Sequence, residues 1–419
     1  MSRWLAHAIA VTFSLAASGG ALAAVAAPPA TTGGAQAAAL AACNGSQPAY
    51  SLDQQIAGCS AIIAMPDANL PLMAAAYNNR GMALAAKRDF PKAIADYDQA
   101  IRLQPAAPRY WSNRGLARRA DGRPDLAVSD FTEALRLDPT AANVFDNRGL
   151  AFETLGQKDK ALRDFGQAIS LKPDRAAYYL NRGRVETASG GYAGAIADFN
   201  QALKLEPANV AAVAGRAQVY QAQGDTARAI ADYDRAIQMS PNDIVLLVNR
   251  GAAKAAGGQV PAAIEDYSAA VKREPTNAPA RFNRGLAYLG MAKADLALAD
   301  FDALAAADPN FAPAFYNRGR AHLALGDHAG AMKDFDEAIR LHPDYPLALD
   351  ARGAEKLAQG APAQALPDFD RAIQLAPDLA QAYLHRSAAR KANGDSAGAD
   401  ADHAAALRLE PNPAAAAHP

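Results

Sequence analysis

The amino-acid sequence predicts an all-α solenoid of ten tandem helix–turn–helix repeats, each 34 residues long. Arginine recurs at this interval ten times from Arg80 to Arg386, and aspartate recurs likewise from Asp96 to Asp402, without insertions. Columns of alanine and proline keep the same period. Self-similarity at a fixed period of this size is typical of stacked helical repeats. We therefore predict that the repeats span residues 74–413.

The sequence of each repeat predicts two short helices separated by a tight turn. In the third repeat the apolar spacing predicts a first helix from about Ala142 to Leu155 and a second from about Lys158 to Leu171. Gly156 is placed to end the first helix, because glycine adopts the left-handed conformation that closes many helices. Pro173 prevents extension of the second helix, since proline lacks a backbone N–H.

Composition narrows the class of protein. Hydrophobic residues make up 51% of the chain and aromatic residues only 7%, so alanine dominates the apolar fraction and favours closely packed helices. With 42 basic and 43 acidic residues, the net charge of −1 argues against a nucleic-acid partner. The scattered histidines form no spaced metal motif, and no catalytic motif is present. The sequence therefore predicts no enzyme, no metal site and no cofactor.

The N-terminus has the pattern of a secretory signal over residues 1–23. Arg3 precedes an apolar stretch too short to span a membrane, and small residues place the cleavage site near Ala23. A low-complexity linker is predicted over 24–42, a capping segment over 43–73 and a disordered tail over 414–419. No other apolar run approaches membrane length, so we predict a periplasmic or secreted protein without a transmembrane segment in the mature chain.

The two cysteines, Cys43 and Cys59, lie just ahead of the repeats. In an exported chain, two nearby cysteines most simply form a disulfide, which would fasten a helix at about Leu52 to Met65 against the first repeat. One alternative is lipoprotein anchoring at Cys43, because small residues precede it, although the motif lies about twenty residues beyond the signal's apolar core. A second alternative is a pair of unbonded thiols.

The repeat resembles the tetratricopeptide repeat, in the form found in bacterial envelope or secreted proteins, here with an Asn-Arg-Gly motif. Its small, aromatic and proline landmarks match, in the first unit, Tyr77, Gly81, Ala93, Tyr97, Ala100 and Pro105. Departures occur at Ala217 and Ser387 in place of the first-helix glycine, and at His403 in place of the second-helix aromatic. The resemblance implies a right-handed superhelix whose first helices line a concave groove.

The arginine and aspartate columns lie within the helix stripes that should pack together. Arg80 is three residues after Tyr77, and Asp96 is three residues after Ala93. We therefore expect interhelical ion pairs that fix register rather than bind ligands. In the first three repeats the pairing residues are Arg80, Asp96, Arg114, Asp130, Arg148 and Asp164.

An asparagine column points away from the arginine stripe, because one residue turns a helix by about 100°. It comprises Asn79, Asn113, Asn147, Asn181, Asn249, Asn283 and Asn317. Side-chain amides both donate and accept, so a row of them can hold a peptide backbone. The column resembles the asparagine ladder of O-linked N-acetylglucosamine transferase. The alternative is that these amides bond only to neighbouring helices or water.

Residues beside the asparagines differ along the chain. Arg109 and Arg184 lie early and suggest acidic ligands there, whereas Phe282, Leu286 and Tyr316 lie later and suggest apolar ones. The sequence thus predicts a non-catalytic scaffold that binds an extended or disordered segment of a partner protein. The alternative is a structural subunit of a cell-envelope assembly, such as polysaccharide or outer-membrane machinery, docking through its convex surface.

Overall fold

The computed structural model describes residues 34–45, 50–66 and 68–410, and the predicted signal peptide and C-terminal tail lie outside them. Within the described residues the chain forms 22 α-helices and no strand, which confirms the all-α repeat solenoid. The helices divide into two compact units, one ending at Gln223 and the other beginning at Gly224. We call them the N-terminal unit and the C-terminal unit.

The N-terminal unit contains eleven helices, of which the first two precede the repeats. Their bounds are α1 Gly34–Cys43, α2 Leu52–Ile63, α3 Leu70–Ala86, α4 Phe90–Leu103, α5 Pro108–Ala120, α6 Pro124–Leu137, α7 Ala142–Thr154, α8 Lys158–Leu171, α9 Ala176–Ala188, α10 Tyr192–Leu205 and α11 Val210–Ala222. The third repeat, α7 and α8, matches the predicted boundaries to within one residue.

The C-terminal unit contains the other eleven helices. Their bounds are α12 Thr226–Met239, α13 Ile244–Ala256, α14 Val260–Arg273, α15 Ala278–Gly290, α16 Ala294–Ala307, α17 Ala312–Ala324, α18 His328–Leu341, α19 Pro346–Ala358, α20 Pro362–Leu375, α21 Ala380–Ala392 and α22 Ser396–Leu409. Within the units, first helices pack against the second helices that follow them, as α13 packs on α14, and several touch the next first helix, as α13 touches α15.

The two helices of a repeat approach closely where a glycine faces an aromatic ring. A Cβ atom built on Gly149 would lie 2.7 Å from the ring of Phe165, which is itself fully buried. The same contact recurs between Gly285 and Phe301. Interiors are close-packed, so no methyl group fits between helix and ring without a shift. The glycine column therefore sets the distance between the paired helices.

The turn between paired helices requires a left-handed residue. Gly156 has φ +70°, and the next amide, N–H of Gln157, donates to the carbonyl of Phe152 over 2.9 Å, which satisfies a helix-end acceptor. Arg88 and Ala292 stand at the equivalent positions and adopt φ +65° and +57°. The backbone thus keeps one turn geometry even where the sequence lacks glycine.

The capping segment is a helical hairpin rather than a single helix. Helix α1 covers the second half of the span interpreted as a linker and ends on Cys43, the first residue of the predicted capping segment, and it packs on α2. Cys43 and Cys59 form a disulfide between these two helices, as predicted. Both sulfur-bearing residues are buried against Ile62 and Ala76. The hairpin therefore covers the edge of the first repeat.

No helix in the described part of the chain is both long and apolar enough to cross a membrane.

Candidate functional site

The arginine column forms two-pronged ion pairs with the aspartates of the following helix. Arg80 donates from Nε and Nη2 to the two carboxylate oxygens of Asp96, each over 2.8 Å. Arg148 and Asp164 repeat the arrangement at 2.7 and 2.9 Å. The aspartates are buried, and the hydrogen bond to Asp96 raises the pKa of Arg80. The same pair recurs as Arg114–Asp130, Arg182–Asp198, Arg250–Asp266, Arg284–Asp300, Arg318–Asp334, Arg352–Asp368 and Arg386–Asp402.

The remaining guanidinium nitrogen reaches back to the preceding repeat. Nη1 of Arg148 donates to the Thr132 hydroxyl over 3.1 Å, and Nη1 of Arg318 donates to Asp302 over 3.0 Å. In the first repeat, Nη1 of Arg80 donates to Ser60 of the capping hairpin over 2.9 Å. Each of these arginines therefore ties together three helices. Its three nitrogens each donate a hydrogen bond within the solenoid.

The buried aspartates receive further cations that the sequence interpretation missed. Arg118 reaches both oxygens of Asp130 at 2.9 Å, and Lys356 reaches Asp368 at 2.7 Å. These bases lie four residues after the column arginine, one helical turn away, so they meet the same carboxylate. The sequence carries a basic residue four positions after the column arginine in some repeats, but not in every one.

The inner face is the side of the first helices that carries Asn283, Leu286 and Leu289 and their equivalents at 34-residue intervals. It lies away from the glycine and arginine that face the paired second helix. Several first helices touch those of adjacent repeats, as α13 touches α15 and α15 touches α17, so these residues form a surface shared by neighbouring repeats. The asparagine column runs along one border of this surface.

Four of the seven asparagines are already engaged. Asn79 donates to Asn44 over 3.2 Å and accepts from Asn78 over 3.2 Å. Asn317, only 4% exposed, donates to the Pro313 carbonyl and accepts from Arg320. Both ends of these two amides are therefore used.

Two further asparagines are tied by their nitrogen alone. Asn113 donates to Asn78 and Asn181 donates to Asp146, each over 2.8 Å. In both cases the acceptor stands 35 residues earlier, on the preceding first helix. Their carbonyl oxygens remain without such a bond among the described residues. The alternative interpretation, bonding between neighbouring helices, thus describes part of the column.

Three asparagines make no side-chain hydrogen bond with any residue that the structure describes: Asn147, Asn249 and Asn283. Each is partly exposed on the inner face. For Asn283 the reason is visible, because the residue 35 positions earlier is Val248, which offers no side-chain acceptor. These amides retain both a donor and an acceptor for a ligand.

Two arginines on the charged inner face of the N-terminal unit have partners within the chain. Arg184 pairs with Glu153 at 3.2 Å, and Arg109 donates to the Tyr110 hydroxyl over 2.8 Å. The two arginines that suggested acidic ligands are thus engaged within the chain.

A buried carboxyl lies on the same inner face. Asp146 is 7% exposed, and burial raises its pKa to about 6, against a smaller opposing effect of the Asn181 hydrogen bond. Burial also lowers the pKa of Arg119, whose charge is attracted by Asp146 and Glu153.

The inner face of the C-terminal unit is apolar in α15, whereas α17 carries Arg320 at the position equivalent to Leu286. Phe282 makes edge contacts with Phe301 and Phe311, with ring centroids 6.0 and 5.7 Å apart. Tyr316 packs on Tyr345 at 5.2 Å. The aromatic residues noted from the sequence therefore anchor the surface from within, because their rings pack into the core behind it.

Three histidines of the C-terminal unit, His322, His328 and His385, pair with carboxylates. His322 lies 2.8 Å from Asp327, and His385 lies 2.8 Å from Asp350. Within the described ranges, no group of three His, Cys, Asp or Glu residues is arranged to hold a metal ion. The histidine contacts join neighbouring turns and helices rather than converging on a cavity.

Family models match most of the chain. The family described as tetratricopeptide repeat matches residues 67–102, 78–142, 147–200, 180–244 and 282–346, and a TPR repeat family matches 251–291. No curated protein sequence matches the chain.

Solved structures that resemble this chain include two that are described as TPR or tetratricopeptide repeat proteins. YrrB, described as a TPR protein with an unusual peptide-binding site, is 26% identical, covers 45% of this chain and 97% of its own, and has a TM-score of 0.39. A tetratricopeptide repeat protein from Parabacteroides merdae is 20% identical over 66% of this chain and 96% of its own, with a TM-score of 0.45. The Cut9–Hcn1 complex is 15% identical over 84% of this chain and 83% of its own, with a TM-score of 0.48. With its helix pairs, its glycine–aromatic contacts and its matching family models, this chain belongs to the tetratricopeptide repeat family.

Proposed function

We propose that this protein is a non-catalytic scaffold that binds extended segments of partner proteins on its inner faces. The observation that carries the proposal is the unengaged state of Asn147, Asn249 and Asn283 among the described residues. A peptide in extended conformation leaves its own N–H and C=O groups unpaired, so each amide can make two hydrogen bonds to it.

The engaged asparagines refine the ladder predicted from the sequence. In Asn79 and Asn317 both the amide nitrogen and the amide oxygen are hydrogen-bonded within the chain, so we do not propose these two residues as ligand contacts. The proposed contacts therefore come from Asn249 and Asn283 in the C-terminal unit and from Asn147 in the N-terminal unit. Asn113 and Asn181 offer their carbonyl oxygens to a ligand of the N-terminal unit.

The proposed location is outside the cytoplasm. The Cys43–Cys59 disulfide persists most readily in an oxidising compartment. The secretory pattern over residues 1–23 points the same way. Partners would then be periplasmic, secreted or envelope proteins with extended segments.

The test begins with random dodecapeptides displayed on phage and selected on the oxidised full chain. The Kd of a selected, fluorescently labelled peptide is measured by fluorescence anisotropy for the wild type and for the triple variant N147A/N249A/N283A. A net hydrogen bond contributes about 1 kcal/mol, so losing several should weaken binding by tenfold or more, at about 1.4 kcal/mol per decade. Asn79→Ala is the matched control and should bind within about twofold, since no ligand bond is lost.

Binding of peptide by the triple variant as tight as by wild type would contradict the proposal. Failure of the library to yield any binder would count against it as well. A second readout examines the ligand: N-methylation of its backbone amides should weaken binding to the wild type but have little effect on the already weakened triple variant. If the partner instead docks on the outer surface, neither the asparagines nor the backbone amides will matter.

A further inference from the structure

Each unit carries on its inner face an arginine that makes few or no hydrogen bonds to other described residues. Arg119 on α5 and Arg320 on α17 stand at the positions equivalent to Leu289 and Leu286. Arg119 forms no hydrogen bond or ion pair with a described residue. Arg320 donates one hydrogen bond, from Nη1 to the neutral Asn317 over 3.0 Å, and forms no ion pair in the described chain. Both side chains are partly exposed.

The unbonded atoms of Arg320 are those with which this chain elsewhere binds carboxylates. In the arginine column, Nε and Nη2 donate to the two oxygens of one aspartate, as Arg284 does to Asp300 over 2.8 and 2.7 Å. In Arg320 these two atoms make no hydrogen bond with a described residue, since the bond to Asn317 uses Nη1 alone. This planar edge of a guanidinium matches a carboxylate and binds it with two parallel hydrogen bonds. Arg320 therefore presents a carboxylate-binding edge that Asn317 orients.

The unbonded nitrogens of both arginines can be reached from solvent. Neither Arg119 nor Arg320 contributes to the buried side-chain nitrogens that lack a partner in the described chain. Burial nevertheless lowers the pKa of Arg119, so its charge is partly withdrawn from water. A guanidinium that is partly desolvated and lacks an acceptor gains free energy when an anionic acceptor reaches it.

The acidic groups that attract Arg119 are already bonded to other side chains. Asp146 accepts a hydrogen bond from Asn181 over 2.8 Å, on the following first helix. Glu153 pairs with Arg184 at 3.2 Å, on that same helix. Both carboxylates attract Arg119 without bonding to it. Its donors therefore stay available to a carboxylate that can reach them.

The same arrangement recurs in the C-terminal unit. Burial raises the pKa of Tyr316, an effect that Arg320 opposes and Asp350 reinforces, so both charges lie near this tyrosine. Yet Asp350 pairs with His385 on the following first helix, 2.8 Å from its Nδ1. In each unit a buried aspartate is thus bonded to the residue 35 positions later, and the arginine on the preceding first helix forms no ion pair with a described residue.

A first helix that touches each arginine's helix carries an amide unengaged by any described residue. Helix α5 with Arg119 touches α7, which carries Asn147, and α17 with Arg320 touches α15, which carries Asn283. The amide can bind the backbone of an extended segment while the guanidinium binds a carboxylate on one of its side chains. We infer that each unit binds one acidic side chain of the partner segment, on Arg119 in the N-terminal unit and on Arg320 in the C-terminal unit. This inference rests on the proposed function and names the side chain that its ligand carries.

Two fluorescently labelled peptides with blocked ends test the inference on the full oxidised chain by fluorescence anisotropy at pH 7.5. The first repeats Ser-Glu-Thr five times, and the second has glutamine in place of every glutamate. Because the ends are blocked, a terminal carboxylate contributes nothing. The glutamate peptide is expected to bind at least about tenfold more tightly, since a hydrogen bond to a charged group is stronger than one between neutral groups. Equal or tighter binding of the glutamine peptide would overturn the inference.

Variants of the chain supply the second arm. In R119Q/R320Q the glutamate peptide should bind within about twofold of the glutamine peptide. The matched control R102Q/R408Q removes the same charge from exposed arginines on second helices, one in each unit, and should keep the preference for glutamate. If circular dichroism shows that the double variant is unfolded, R119Q alone replaces it, because Arg119 makes no bond to a described residue, and part of the preference should be lost. An unchanged preference in the folded variant would refute the assignment.

The two proposals fail in different ways. If N147A/N249A/N283A binds the phage-selected peptides as tightly as the wild type does, the amides are not ligand contacts and the proposed function fails. If that variant weakens the selected peptides while the glutamate peptide binds the wild type no better than the glutamine peptide, the groove stands and only the carboxylate assignment is wrong.

Discussion

Asn181 donates a hydrogen bond from Nδ2 to Oδ1 of Asp146 over 2.8 Å, joining the first helices of two adjacent repeats. The acceptor is a carboxyl that is only 7% exposed. Asn113 makes the same bond to Asn78, at the same distance and the same separation of 35 residues. One repeat thus uses an ionisable acceptor where another uses a neutral one, and the two serve as each other's controls.

Asp146→Asn should stabilise the protein at pH 7 and have no such effect near pH 4. Burial raises the pKa of Asp146 to about 6, from an ordinary value of 3.8, despite nearby Arg119. Between pH 3.8 and about 6 the folded state binds more protons than the unfolded state, so the free energy of unfolding of the wild type falls as pH rises. At about 1.4 kcal/mol per pKa unit, the difference is on the order of 3 kcal/mol. Urea unfolding of both proteins from pH 4 to pH 7.5 measures it.

The reverse change, Asn78→Asp, should introduce a comparable loss of stability with rising pH. Asn78 is 2% exposed and already accepts the equivalent hydrogen bond. A stability difference between Asp146→Asn and wild type that stays constant with pH would show that the carboxyl is ionised equally in both states.

Asp300→Ala should cost far more stability than Asp302→Ala, two residues along the same helix. The Asp300 side chain is 2% exposed and accepts from Arg284 and Arg281, whereas that of Asp302 is 55% exposed and accepts from Arg318 alone. Removing one partner of a buried pair leaves an uncompensated charge and costs about 3–5 kcal/mol. An exposed pair contributes about 0–1 kcal/mol. Chemical unfolding of both variants provides the comparison, and similar losses would mean that Asp300 is hydrated in the folded state.

Gly285→Ala should destabilise the protein, and Gly290→Ala, in the same helix, should not. A Cβ on Gly285 would lie 2.7 Å from the Phe301 ring, while one on Gly290 meets no atom within 4 Å. Overpacking costs about 1–3 kcal/mol. Alanine favours a helix over glycine by up to about 1 kcal/mol, so Gly290→Ala should be neutral or stabilising. Thermal unfolding monitored by circular dichroism distinguishes them, and a neutral Gly285→Ala would mean that the ring moves aside freely.

Replacing Cys43 and Cys59 by alanine should loosen the capping hairpin selectively. The disulfide spans 16 residues, and closing a loop of this size contributes about 3 kcal/mol in the chain-entropy treatment. Hydrogen exchange should accelerate in α1 and α2, with α13 to α22 unaffected. Wild-type protein treated with a dithiol reductant should behave like the double variant. Unchanged exchange in α1 and α2 would show that packing alone holds the hairpin.

The 34-residue period was sufficient to predict the helices, their turns and the class of fold. Glycine at Gly156 and proline at Pro173 act locally, through backbone conformation and a missing N–H, so their effects can be read from sequence. Helix α1 could not be predicted in the same way. Its ten residues have little amphipathic pattern, and its helical state accompanies packing on α2 and the bond to Cys59.

For the candidate site, the sequence determined which residues repeat, and the tertiary structure decided which of them are available to a ligand. Asn283 and Asn317 are indistinguishable by position in the repeat. Yet Asn317 is buried and bonded to Pro313 and Arg320, whereas Asn283 makes no side-chain bond to a described residue. The difference comes from side chains on adjacent helices and turns, which meet only when the repeats stack. A periodic sequence specifies equal positions, and packing makes their environments unequal.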